Sequence, residues 1–549
     1  MNRVRSVVTR ANKRLTLKWA ATLLSGSMLF ASLLGIFRER LLNSTYMPNE
    51  AANIAGYPVG LDAYTAAFTV PDFMFTILVS GALSVTFIPV FNQRLVKGNK
   101  KSAWELSTSM INIMAIGTLI ASILIIAFAE PILKYVIAPG LSESGLALAT
   151  SMMRVIAVNP FLFAIATVIA SMQQAVGRFT FFALAPAIYS VGIIIGTVFF
   201  TNGINILGWQ LFDGGIMGVA LGVVLGSIMQ LLVSSIGLLG LGFDYRFKIY
   251  WKNKGFRKVL SLLPARSADQ GMDYVVSLAE TNLASRMAEG TIRAYQQASM
   301  LHMMPINLIG VAISNAAFPQ MTERIAQGRP DLFKTELQKI IRVIIWLILP
   351  VATVAFTARG YVVHFIKNGG DLLIASLLGG LVVAIVFRSI YHIAARSFYA
   401  QQDTKTPLYV SIFAILLNVG LAIWFTMSLG MGPLGLAWAQ SIVAVIEVAI
   451  LFVLMSRHTP GLFDTRFIHA ISRMLAAAAI TAVISYISVT LFQLTSDNQS
   501  FFATFPKFAL IVSISFVSYI AVCRLMKLEE VVPVFDRVRK ILFSSPHTR

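Results

Sequence analysis

An all-α polytopic membrane fold, with about fourteen transmembrane helices, is the class this sequence predicts. Three observations carry that expectation: its hydropathy, its series of long apolar runs and the placement of its cations. Of 549 residues, 57% are hydrophobic and 12% charged, with a mean hydropathy of +0.76; a soluble chain carries roughly 25% charged residues. Apolar runs of about 20 residues, the length that crosses a hydrocarbon core, fall at 19–43, 65–91, 104–129, 146–173, 180–200, 214–240 and 259–285. The series continues at 291–318, 340–358, 372–395, 407–429, 433–456, 470–493 and 502–523. The first run exceeds the apolar core of a cleavable signal and leads directly into polytopic sequence, so it reads as a span. The short loops leave no room for a soluble catalytic domain. The single cysteine, Cys523, has no partner within the chain, which excludes a disulfide-rich scaffold.

The cations orient the series. With the amino terminus inside, 33 of the 44 Lys and Arg residues fall on inner segments and 8 on outer ones, as the positive-inside rule requires. The inner set is densest at residues 1–18, 246–258, 324–342 and 524–549, which predicts N-in and C-in termini. The net charge of +20 is therefore mostly topology plus attraction to anionic membrane lipids, and no nucleic acid partner is expected.

Internal similarity suggests two lobes. ALSVTFIPVFNQRL at 82–95 and AISNAAFPQMTERI at 312–325 share Ala, Ser, Pro and Arg in register at an offset of 230; Gln173-Gln174 and Gln401-Gln402 repeat at 228. The expected organisation is a basic cytoplasmic amino terminus (1–18), an N-lobe of helices one to six (19–240), a basic cytoplasmic linker (241–258) and a C-lobe of helices seven to twelve (259–456). Two further helices (457–523) and a basic cytoplasmic carboxyl terminus (524–549) complete it. Two lobes around a cleft suit alternating access, in which rigid halves rock about a central site.

Polar groups are costly in lipid and mark such sites. Helix seven holds Arg266, Asp269, Asp273, Glu280 and Arg286; the first four follow i, i+3, i+7 and i+14, one stripe of a 3.6-residue helix. Arg293, Gln296, Gln297 and His302 follow on helix eight, and Arg388, His392 and Arg396 on helix ten. The stripe reads either as one wall of a hydrated cavity or as a structural ion pair of Arg266 with Asp269 or Asp273 near the inner edge. No zinc-protease, phosphate-loop, serine-hydrolase or Cys/His metal pattern is present. Neither an enzyme nor a resident cofactor or metal is expected, and transport would draw on a substrate gradient, an ion gradient or the membrane potential.

RSFYAQQDTKTP at 396–407 is similar to the FYA-x-x-DT-[RK]-TP signature of the MurJ (MviN) lipid II flippases, in the multidrug/oligosaccharidyl-lipid/polysaccharide exporter superfamily. In this block stand Arg396, Phe398, Tyr399, Asp403, Thr404, Lys405, Thr406 and Pro407. Read directly, Asp403, Lys405 and the two threonines form a polar turn at the inner face, and Pro407 restarts a helix within its first turn. GIFRER (35–40), DAYTAAFTVPDFMF (62–75) and GALSVTFIPVF (81–91) resemble the family's GFxRD, DAFxxAFxxPNxxR and EGAxxxAFxPV. GRFTFFALAP (177–186) and PINLIGVAISNAAFP (305–319) match further family segments, so the resemblance covers roughly residues 20 to 460.

The resemblance implies a flippase of the bacterial cytoplasmic membrane that carries undecaprenyl-pyrophosphate-linked peptidoglycan precursor, lipid II, between leaflets. It implies a cationic cavity for diphosphate and sugars between the lobes, with helices thirteen and fourteen shaping a groove for the lipid tail. Of four cavity arginines, Arg38 is retained, while Ser32, Phe75 and Met300 stand at the other three places. Ser80 replaces a Glu, Asp62 is kept and Glu39 stands for an Asp. Guanidinium forks are the best match for a diphosphate, so Arg266, Arg286 and Arg293 are the substitutes expected beside Arg38, whereas Glu280 repels phosphate unless protonated or paired. Export of another polyprenyl-linked saccharide, an inactive membrane scaffold for cell-wall synthesis proteins, and a drug/cation antiporter are the alternatives.

Overall fold

The computed structural model describes residues 17–46, 59–206, 209–212, 214–494 and 500–532. It is helical apart from one short hairpin. The described chain divides into two compact units, 1–293 and 294–549.

The first unit begins with α1 (Leu17–Tyr46) and α2 (Val59–Phe75), the latter continuing through a π-helical turn, Thr76–Ser80, into α3 (Gly81–Val96). It goes on with α4 (Lys100–Ile132), α5 (Glu143–Ile156), α6 (Asn159–Ala175) and α7 (Thr180–Ile195). After the hairpin β1 (Ile204–Ile206) and β2 (Trp209–Phe212) come α8 (Met217–Ile236) and α9 (Lys254–Ser285). The hairpin pairs Ile204 with Phe212 and Ile206 with Trp209. The tightest pair is α7 on α8, where Gly192 and Gly196 face Gly222 and Gly226. A Cβ on Gly192 would lie 2.2 Å from the Gly226 Cα, so only glycine permits this approach. The core packs Phe87, Phe91, Leu106, Met110, Val168, Met172 and Phe256 from α3, α4, α6 and α9, which is why α9 clusters with this unit.

Helix α10 (Thr291–Pro305) opens at the junction and runs through a π-helical turn, Ile306–Val311, into α11 (Ala312–Ala326). Then follow α12 (Pro330–Thr357), α13 (Arg359–Ile366), α14 (Leu372–Ala400), α15 (Lys405–Ile423), α16 (Pro433–His458), α17 (Thr465–Leu491) and α18 (Phe501–Leu525). The core of the second unit gathers Phe333, Ile341, Ile344, Trp346, Ile393, Phe398, Leu451, Met474, Tyr519 and Cys523, so α17 and α18 share it with α12, α14 and α16.

Among the described residues, eleven helical stretches are long and apolar enough to cross a membrane. The chain is therefore a multi-pass membrane protein. The other three anticipated runs are also helical, as α1, α2–α3 and α9, but α9 alone holds seven charged residues, which lowers its hydropathy. Two of the π-helical turns among the described residues fall at the repeat offset: 76–80 becomes 306–310 on adding 230. A π turn inserts one residue and rotates the following helix face, so both copies re-aim their Pro-containing segments alike. The Gln-Gln repeat is not equivalent in structure: Gln173 and Gln174 lie in the last turn of α6, whereas Gln401 and Gln402 follow the end of α14.

Candidate functional site

In the first unit, three residues of α1 form the base of a buried polar cluster. Glu39 receives Arg38 on Oε1 and Arg293 on Oε2, each at 2.6 Å. Arg293 also donates to Asn43 at 3.1 Å, and its guanidinium lies 6.0 Å from the Tyr64 ring centre. The side chains of Arg293 and Glu39 are 2% and 8% exposed, against 22% for Arg38. A buried carboxylate needs charge-assisted partners on both oxygens, and these two guanidiniums supply them.

Asp62, in the first turn of α2, accepts the Gly290 N–H at 2.5 Å and the Arg293 N–H at 2.8 Å. It is thus a cap on the opening turn of α10, where the helix dipole favours an anion. Gly290 has φ +88°, a conformation that suits glycine. Arg293 is anchored twice, by its main chain to Asp62 and by its side chain to Glu39. Asp72, one α2 face along from Asp62, is exposed and lies within Coulombic range of Arg38. Tyr64 and Tyr189 border the same guanidinium.

Not every expected residue joins this cluster. Glu280 is buried on α9, and Arg286 is exposed at the end of that helix, donating to Asn282 at 3.1 Å. Nearby, Asn282 donates to the Val136 carbonyl at 2.6 Å, and Gly140 packs against the Ser285 main chain. The side chains of Arg266, Asp269, Asp273 and Ser80 lie outside the described residues. Phe75 packs on Phe163 at 5.3 Å, and the Ser32 hydroxyl donates to its own helix at Met28; neither supplies charge.

The second unit holds a separate cluster. Arg388 donates to Glu447 at 3.1 Å, Ser411 donates to the other Glu447 oxygen at 3.1 Å, and Tyr391 meets Ser411 at 2.9 Å. Glu447, 2% exposed, is the sole acid of α16, a signal the sequence offered. Of the 396–407 block, Arg396 bonds Asn315 on α11, Phe398 is buried and Tyr399 is half-exposed. The Asp403 carboxylate, rather than a threonine hydroxyl, accepts the N–H groups of Lys405 and Thr406, both at 3.0 Å. Those bonds, with the Thr406 hydroxyl first, hold its carboxyl below the usual carboxylate range. Thr404 stands at the N-cap without a side-chain bond and Pro407 in the first turn of α15.

The family model described as lipid II flippase MurJ matches residues 51–509. The chain belongs to the MurJ lipid II flippase family. Among MurJ relatives, a probable lipid II flippase MurJ of Borreliella burgdorferi is 23% identical over 78% of this chain and 82% of its own length. The lipid II flippase MurJ of Burkholderia cenocepacia is 23% identical over the same shares of the two chains. A solved structure of lipid II flippase MurJ in an inward closed conformation covers 92% of this chain and 98% of its own, with TM-score 0.71 and 22% identity. An inward-facing MATE-family multidrug resistance transporter of the MOP superfamily covers 81% and 99%, at TM-score 0.63 and 16% identity. These likenesses show that MurJ and MATE-type transporters share the fold.

Proposed function

We propose that this chain translocates lipid II across the bacterial cytoplasmic membrane, with the Arg38 guanidinium as a contact for the diphosphate. The observation that carries the site is Arg38 itself: it occupies a family motif position, it is the partly exposed member of the cluster, and Glu39 and Arg293 hold it in place. Pre-organised guanidinium is what a diphosphate in a low-dielectric cavity requires. Arg293 acts as a positioning residue and Asp62 as a helix cap, while Arg286 and Arg266 supply the further cations from α9. Glu280 belongs to the same α9 stripe.

The topology in this reading is N-in and C-in. Of the expected lobes 19–240 and 259–456, joined by the linker 241–258, α9 moves with the first, whose core it shares; residues 1–18 and 524–549 face the cytoplasm, and 457–523 holds the lipid tail. The substrate and surrounding lipids are the partners, with cell-wall synthesis proteins receiving the product. The test is depletion of a bacterium's own lipid II flippase in the presence of this gene. Restored growth, with labelled lipid II reaching the outer leaflet, is expected; lysis despite normal insertion would remove the assignment and favour another polyprenyl-linked saccharide or a scaffold.

A further inference from the structure

Between α8 and α9 the chain crosses the first unit as an extended strap, 241–253, and this strap is pinned by its main chain. Asn112 donates to the carbonyls of Arg246 and Lys248, both at 3.0 Å, and accepts the Tyr245 hydroxyl at 2.6 Å. Ser109 accepts the Tyr250 N–H at 2.8 Å, and Asn253 donates to the Ser102 carbonyl at 3.0 Å. Leu241, Phe243 and Ile249 turn inward onto the core. What remains outside is a set of aromatic and cationic side chains: Phe247 is 83% and Trp251 55% exposed, and Arg246, Lys248 and Lys252 are exposed beside them. Asp244 is the one acid here, paired with Arg246 at 2.9 Å.

The helix that pins the strap gives its depth. With its terminal π turn, α4 spans 38 residues, about 57 Å at 1.5 Å per residue, whereas the hydrocarbon core is about 30 Å thick. Counting back about 20 residues from Ile132, just past Glu130, arrives at Ile113. Asn112 and Ser109 therefore stand at the inner edge of the hydrocarbon, and the strap they hold lies at headgroup level. Aromatic rings and snorkelling Lys and Arg side chains are the groups that occupy this zone.

We infer that the strap is a preformed docking platform for anionic phospholipid headgroups, with Arg246, Lys248 and Lys252 meeting phosphate and Phe247 and Trp251 entering the acyl boundary. The inference rests on the membrane topology above and is independent of the transported substrate. Because the pins run to main-chain atoms, the cations can be neutralised without releasing the strap.

The test places a thiol-linked fluorophore at Phe247→Cys; Cys523 is fully buried and stays unlabelled. The protein is put in phosphatidylcholine nanodiscs holding a small fraction of spin-labelled phosphatidylglycerol or spin-labelled phosphatidylcholine. Quenching by the anionic lipid should exceed that by the zwitterionic one by about fivefold for a single engaged cation. It should fall towards equality in 1 M salt, where the screening length is about 3 Å, and in an Arg246→Gln, Lys248→Gln, Lys252→Gln variant. Equal quenching by both lipids at low salt would mean apolar anchoring alone and would overturn the platform. No quenching by either, with full access to an aqueous quencher, would turn the strap to water, as an acidic protein partner needs, and would overturn it too. The neutralised variant should still support growth in the depletion strain, so failure of the platform and failure of the flippase reading are separately visible.

Discussion

Arg293 donates to Glu39 across 254 residues of sequence at 2.6 Å, with both side chains buried. Breaking a buried pair by removing one partner typically costs about 3–5 kcal/mol, because the other charge is left uncompensated. Arg293→Met and Glu39→Gln should each lower thermal stability strongly. The double substitution should be less damaging than the sum of the two. Thermal unfolding of the four proteins in one detergent checks this; additive losses would mean that the pair contributes nothing as a pair.

Arg38 tests the same cluster from its open side. Arg38→Ala should leave insertion normal and reduce diphosphate-dependent flipping about 10- to 150-fold, the equivalent of a charge-assisted hydrogen bond of about 1.5–3 kcal/mol. Arg38→Lys should recover part of the rate, since ammonium keeps the charge and loses the fork. Asp72 lies within Coulombic range of Arg38, so Asp72→Asn, the residue type in the family pattern, removes a charge that would oppose an anion at that guanidinium and should raise diphosphate affinity about three- to tenfold. Unchanged flipping in Arg38→Ala would make Arg38 a helix-end anchor.

Most of the helical fold was legible because lipid forces each span to satisfy its own backbone, so hydropathy alone reports it. The hairpin at 204–212 was not anticipated, although glycines at positive φ, Gly203 and Gly214, flank it. The site was half legible. Arg38 came through a motif, but the capping role of Asp62 depends on a turn 228 residues away, which no local pattern encodes. Arg293 has the same sequence signature whether it faces a cavity or Glu39; only burial separates the two. Glu447 was visible as the lone acid of an apolar helix, and what it contacts was not.

The glycine seam between α7 and α8 makes a steric prediction. Gly192→Ala places a methyl 2.2 Å from the Gly226 Cα, so the helices must separate, at a cost of typically 1–3 kcal/mol or more. Gly117→Ala, on α4 with nothing within 4 Å of its Cβ position, should be neutral or slightly stabilising through helix propensity. Thermal unfolding of the two variants should rank them in that order.

The Asp403 turn predicts a pH dependence. Its folded pKa is depressed below 3.8, so its contribution is complete above the unfolded value and is lost as pH falls through the folded one. Asp403→Ala should cost about 1 kcal/mol at neutral pH, as for a lost helix cap, and the gap to wild type should narrow as pH falls through and below the ordinary carboxylate range. A gap that does not change on acidification through that range would exclude the ionised carboxylate as its source.

Orientation can be read with two exposed sites. Lys252 and Ser144 are both exposed. Lys252→Cys should react with an impermeant thiol reagent from the cytoplasm and Ser144→Cys from the opposite side. Labelling of both from one side would contradict the cation-derived topology.

Helices α17 and α18 carry the proposed tail groove, and their packing decides how to test it. Truncation after residue 468 would strip Met474, Ala477, Tyr519 and Cys523 from the core that surrounds Trp346, so the shortened chain should misfold and reveal nothing about lipid tails. A cavity of about 450 Å³ between the helix ends gives a finer handle: His469, Ser472, Arg473 and Ala476 line it from α17, and Leu525, Met526 and Lys527 from the end of α18. Ala476 is exposed, so Ala476→Trp fills the space without entering the core, and tryptophan is tolerated at a membrane interface. If the isoprenoid enters there, the variant should slow flipping of a full-length undecaprenyl substrate in proteoliposomes while sparing a short-chain analogue with the same headgroup. Equal slowing of both would indicate a general defect, and equal wild-type rates for both would place the tail elsewhere on the protein.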